Sequence, residues 1–127
     1  MSDNLILTKS FNFALDVIAL YCKLRASHEY VISKQLLRSG TSIGANVEEA
    51  LSGQSRRDFL SKMSIASKEA RETRYWLLLL KESNLTNIDV SRELKQAEEL
   101  MRILASIVKT TEETPEPARK PKLIHNS

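Results

Sequence analysis

The 127-residue chain has one cysteine, two histidines, three glycines and three prolines. A single cysteine, Cys22, excludes an internal disulfide, and its place in a helical pattern reads as a small core or interface residue rather than a reactive thiol. All three prolines, Pro115, Pro117 and Pro121, lie near the C-terminus, so nothing upstream of them has to break a helix. The histidines are His28, in a connection, and His125, near the end of the chain. A di-iron bundle needs inward glutamates and Glu-x-x-His on two helices, so no metal and no cofactor are expected. Neither Cys22 nor any serine has a histidine in a helical constellation with it, and no glycine-rich phosphate loop occurs. No enzymatic activity and no catalytic residue are therefore expected.

Long apolar runs are also lacking. The longest, Tyr75 to Leu80, falls far short of the roughly 18 residues that span a bilayer. No charged segment followed by an apolar run opens the chain, so the expectation is a soluble, cytoplasmic protein with no membrane partner. The net charge of +3 permits an anionic partner without demanding one.

What is present is helical periodicity. A first helix is expected from about Leu5 to Ala26, with Leu7, Phe11, Ala14, Ile18 and Tyr21 on its core stripe and Phe13, Val17 and Leu24 beside it. A second runs from about Tyr30 to Leu51 and stops at Ser52, Gly53 and Gln54. Ser55 caps a third, with Asp58 three residues on and Phe59, Met63, Ala66, Ala70, Leu77 and Leu80 on its core side, and this helix ends near Ser83. Thr86 or Asn87 caps a fourth, whose Val90, Leu94, Ala97, Met101, Leu104 and Val108 form a bundle seam. From Thr111 onward Thr, Glu, Pro and Lys leave little to bury, and residues 111–127 read as a flexible tail. Four such helices on short connections give an all-α, up-down-up-down antiparallel four-helix bundle over residues 1–110.

The second helix is unusual in composition. Ile32, Leu36, Ile43, Val47 and Ala50 make an apolar arc, while Gln35, Arg38, Ser42, Asn46 and Glu49 make a polar one, with Gly40 and Gly44 thinning the helix for close approach. Arg38 and Glu49 stand about 16 Å apart along the axis, so each needs a partner from elsewhere. The polar arc is either a structural network that fixes register across helices or subunits, or the lining of a ligand groove.

The segments Phe13–Leu24, Gln35–Ala50 and Asp58–Leu80 resemble the small bacterial four-helix-bundle proteins first recognised as reading frames in intervening sequences of large-subunit ribosomal RNA genes. The best marker is Gln-x-x-Arg-x-x-x-Ser-Ile-x-x-Asn-x-x-Glu at Gln35, Arg38, Ser42, Ile43, Asn46 and Glu49, and the likeness spans about residues 5 to 108. The resemblance implies a ring-shaped homopentamer. Relatives of this kind act as accessory subunits of diversity-generating retroelements, in contact with nucleic acid and a reverse transcriptase. Gly40 departs from the alanine more usual in that family, and the tail has no counterpart there.

Two surfaces stand out on the third helix. Arg57, Ser61, Ser64, Lys68, Arg71 and Tyr75 step by 4, 3, 4, 3 and 4, a basic, hydroxyl-bearing face ending in an aromatic. It fits phosphates with a base stacked on Tyr75, and Arg38 and Arg56 add secondary contacts. The bland reading is a solvated face carrying intrahelical pairs. Tyr75 to Leu80 is apolar on every side, so Trp76, Leu78 and Leu79 have surplus surface worth roughly 1.5 to 3 kcal/mol each if buried, which argues for self-association together with Gly40 and Gly44. The expectation is a non-enzymatic homo-oligomeric scaffold that binds RNA, DNA or a nucleic-acid-processing protein. The alternative is a pure protein-interaction scaffold with no nucleic-acid binding.

Overall fold

The computed structural model describes residues 2–53 and 55–114. Four α-helices fill it: α1 Ser2–Ala26, α2 Ile32–Leu51, α3 Arg56–Glu82 and α4 Ser91–Glu113. Each helix packs on its sequence neighbours and α4 closes on α1, while among the described residues neither diagonal pair brings Cα atoms within 8 Å. The cross-helix pairs run in opposite directions along the chain, Arg38 with Glu72 and Glu49 with Lys62, or Lys9 with Glu99 and Asp16 with Arg92, so the neighbours are antiparallel. The fold is the antiparallel four-helix bundle that the periodicity predicts.

The core follows the apolar arcs on three helices. Leu36, Ile43, Val47 and Ala50 of α2, Met63, Ala66, Ala70, Leu77 and Leu80 of α3, and Leu94, Ala97, Leu100 and Leu104 of α4 are all buried. On α1 the buried set is Ile6, Phe13, Val17, Leu20 and Leu24, and this corrects the expected stripe: Phe11 is 60% exposed and Ile18 43%. The physical reason is that α1 is apolar on two sides, so periodicity alone does not select the one that faces inward. Leu5–Ala26 is also, by length and mean hydropathy, apolar enough to cross a membrane, with only 28% of the stretch buried. Two of its charges are engaged with α4, Lys9 with Glu99 at 3.1 Å and Asp16 with Arg92 at 3.1 Å.

The helix ends explain the remaining differences. α1 closes with a Schellman arrangement: Glu29 N–H donates to the Leu24 carbonyl and His28 N–H to the Arg25 carbonyl, both at 2.9 Å, with His28 left-handed at φ 72°. α2 then starts at Ile32 rather than Tyr30, because the buried Glu29 carboxylate caps it. That carboxylate accepts the backbone N–H groups of Val31 (3.0 Å), Ile32 (2.9 Å) and Ser33 (2.6 Å), and Ser33 Oγ donates back to the Glu29 carbonyl at 2.8 Å. α3 begins as expected, Ser55 Oγ accepting the Asp58 N–H at 3.0 Å.

α4 begins at Ser91, later than the expected Thr86 or Asn87 cap. Thr86 Oγ1 instead accepts from Ile88 N–H within the connection, and Asp89 accepts from Ser91 N–H at 2.9 Å. The Ser91 hydroxyl and N–H hold the Asp89 carboxyl below the usual carboxylate range. α4 continues through Glu113, so the change at Thr111 is not a helix end. Residues 115–127, most of the expected tail, lie outside the described residues, as does Gln54 of the expected α2 stop.

Candidate interaction surfaces

The polar arc of α2 turns toward α3. Arg38 Nη1 reaches Glu69 Oε1 at 3.3 Å, and its Nη2 is bonded to Glu72 Oε2. The same Glu72 oxygen accepts the indole N–H of Trp76 at 3.0 Å. Burial of Glu72 works to raise its pKa, but the hydrogen bonds from Arg38 and Trp76 and the guanidinium charge outweigh it, so the carboxyl sits below its ordinary value. Hydrogen bonding to Glu72 in turn pushes the Arg38 pKa up.

At the other end of the interface Glu49 pairs with Lys62 at 2.7 Å, and next to the Arg38–Glu72 pair the buried hydroxyls of Ser39 and Thr73 meet at 2.9 Å. Asn46 donates to the Ser42 carbonyl at 2.8 Å and Ser42 to the Ser39 carbonyl at 3.1 Å, so these two side chains close on their own helix. Gln35 is exposed. Of the arc, Arg38 and Glu49 are thus the residues whose side chains pair with α3.

Gly40 and Gly44 are used inside the chain. Gly40 is buried, and a Cβ there would stand 2.9 Å from both Val17 methyls. A Cβ on Gly44 would stand 3.2 Å from the Ser10 carbonyl oxygen. Within the chain, the close approach they permit is that of α1. Trp76, Leu78 and Leu79 are each half-buried, with Trp76 and Leu78 packed against the core and the indole N–H satisfied by Glu72. Their surplus is partly absorbed within the bundle.

The large unpartnered apolar surface lies on α1. Phe11, Leu15 (51% exposed) and Ile18 step by 4 and 3 along its outer side, next to a cleft of about 260 Å³ left where Gly44 and Ala45 give α2 almost no side chain. Sequence reasoning missed this face, although α1 carries a second apolar stripe that the four-helix core does not need. Such a contiguous patch is what an association surface looks like.

The basic face of α3 is directed to solvent. Arg57, Ser61, Lys68, Arg71 and Tyr75 are exposed and Ser64 is half-buried, over about 27 Å of helix from Arg57 to Tyr75. Among the described residues Arg57, Lys68 and Arg71 form no ion pair, whereas the acids nearest Lys68 and Arg71 on α3, Glu69 and Glu72, are turned to Arg38. The Tyr75 ring stands edge-on to Trp76, centroids 5.3 Å apart, and keeps 54% of its surface exposed. The two secondary candidates differ: Arg38 is committed to two carboxylates, and Arg56 hydrogen-bonds the carbonyls of Thr111 and Thr114 at the end of α4. Among the described residues no three histidine, cysteine or carboxylate side chains gather as a metal site would require.

Fold and surfaces together define a small all-α bundle protein with one apolar and one basic outer face. Residues 2–106 match the 23S rRNA-intervening sequence protein family, and the chain belongs to it. It is similar to a crystal structure of a protein of unknown function from the S23 ribosomal protein family of Bacteroides thetaiotaomicron, with 46% identity and a TM-score of 0.79. The likeness covers 87% of this chain and 100% of that one. No curated protein matches the chain.

Proposed function

We propose that the protein is a non-enzymatic, homo-oligomeric scaffold of the cytoplasm that binds nucleic acid through the basic side of α3. The observation that carries this reading is the set of three cations, Arg57, Lys68 and Arg71, without carboxylate partners among the described residues, on one solvent face that ends in an exposed tyrosine. Cations so placed exchange small counterions for phosphates, and Tyr75 offers a stacking surface for a base. Three charges on one copy bind weakly. A closed assembly, pentameric as the family resemblance implies, repeats them into a belt, and linked weak contacts multiply in effect. The α1 face of Phe11, Leu15 and Ile18 supplies apolar surface for that assembly.

The test is affinity for short single- and double-stranded RNA and DNA as a function of salt. Binding that weakens steeply with salt, and falls with Arg57→Ala or Lys68→Ala while Arg102→Ala leaves it unchanged, is the expected result. Absence of binding at about 150 mM salt would contradict it and favour a scaffold whose partners are proteins, its charges serving solubility.

A further inference from the structure

At the end of the bundle where α3 begins and α4 finishes, the two helices leave an open groove of about 560 Å³. Phe59 of α3 and Ile103 and Ile107 of α4 floor it, and Arg102, Ser106 and Thr110 form its edge. The three apolar residues are only half-buried, so each packs on the core with one side and turns the other to the groove.

The chain leaves α4 beside this groove. Arg56, in the first turn of α3, holds the carbonyls of Thr111 and Thr114 and so keeps the end of α4 against the start of α3. Beyond Thr114 the sequence is PEPARKPKLIHNS, in which the prolines oppose continuation of the helix and Leu123 and Ile124 are the only large apolar residues. We propose that Leu123 and Ile124 dock into the Phe59–Ile103–Ile107 groove of their own chain, so that the C-terminal segment straps α3 to α4.

Reach, charge and tethering all favour this occupant. Nine residues from Thr114 to Leu123 span up to about 30 Å, whereas Ile103 lies about 16 Å back along α4. On the way the segment carries Arg119, Lys120 and Lys122 past the exposed Glu112 and Glu113 of the last helical turn. A tether this short gives an effective concentration on the order of millimolar, so a contact too weak to hold two separate molecules together is held within one. The family match, residues 2–106, ends before the segment begins.

The experiment uses the full chain with Cys22→Ser and His125→Cys, a nitroxide on the new thiol and isotope-labelled isoleucine methyls. Doubly labelled chains are mixed with a tenfold excess of unlabelled ones. The expected result is that the Ile103 and Ile107 methyl signals lose more than half their intensity, and that adding Leu123→Asp and Ile124→Asp restores them. Those two substitutions lie beyond Glu113, where α4 ends, and change no residue of the bundle core. Full methyl intensity in the dilute sample would overturn the proposal. So would broadening seen only when nitroxide and observed methyls are on different chains, which assigns the groove to a second copy.

Discussion

Gly40 of α2 lies directly against Val17 of α1, so close that a Cβ at position 40 would stand 2.9 Å from both valine methyls. Those methyls sit on a stiff β-branched side chain and cannot swing aside cheaply. Overpacking of this kind costs about 1 to 3 kcal/mol, while replacing a helical glycine by alanine returns roughly 1 kcal/mol of propensity. Gly40→Ala is therefore expected to lower unfolding stability by about 1 kcal/mol. In a Val17→Ala background the same change is expected to be neutral or stabilising. A double-mutant cycle by urea unfolding reads the coupling, and additivity of the two changes would contradict the packing argument.

Glu29, two residues before the N-cap position Val31, caps α2 with its side chain. Its buried carboxylate satisfies three backbone N–H groups at the start of α2. Glu29→Ala strands those donors and is expected to cost about 1 to 3 kcal/mol, with increased amide exchange at Val31 to Ser33 as the local signature. Unchanged exchange there would show that the first turn of α2 holds without this carboxylate.

Acid sensitivity follows from Glu72. Its carboxyl is lowered in the folded bundle, net of the opposing effect of burial, by Arg38 and Trp76. Between the folded and unfolded pKa values the unfolded chain binds more protons, so stability rises with pH across that window. The contribution is complete above the unfolded value of about 4.3 and is lost as pH falls through the lower folded value. Glu72→Gln is expected to lower stability at pH 7, with the gap to the parent protein narrowing below about pH 4. A gap independent of pH would mean that the carboxylate charge is not what links α2 to α3.

The apolar outer side of α1 makes a prediction about assembly. Placing a charge at Leu15, as in Leu15→Lys, is expected to prevent the proposed self-assembly while leaving helix content intact, because the side chain is 51% exposed and packs no core. Leu79→Lys, on the half-buried α3 segment, is expected to act mainly on monomer stability. Sedimentation velocity together with circular dichroism separates the two effects.

Much of this architecture was legible in the residues. The 3.6-residue period of α2, α3 and α4 named most of their buried positions, and Ser55 with Asp58 marked the start of α3. Phe11 and Ile18 were not assigned correctly, because a helix with two apolar sides gives no local sign of which one its neighbours cover. The Glu29 cap escaped notice because a glutamate before a helix resembles any other connecting residue until the preceding helix turns it inward. Gly40 and Gly44 announced a close approach, but only the fold shows that the approaching helix is α1. On the candidate binding face, spacing placed Arg57, Lys68, Arg71 and Tyr75 on one side of α3. What spacing does not reveal is that Arg38 diverts Glu69 and Glu72 away from them.

The central claim is a repeated basic surface on a self-assembled bundle. Its most direct test is the solution mass of the full chain by light scattering, with and without short single- and double-stranded RNA and DNA at about 150 mM salt. The expected result is a particle of several chains, five by the family resemblance, whose mass increases when nucleic acid is added. A single-chain particle, or an assembly whose mass does not change with any of the four nucleic acids, would contradict it.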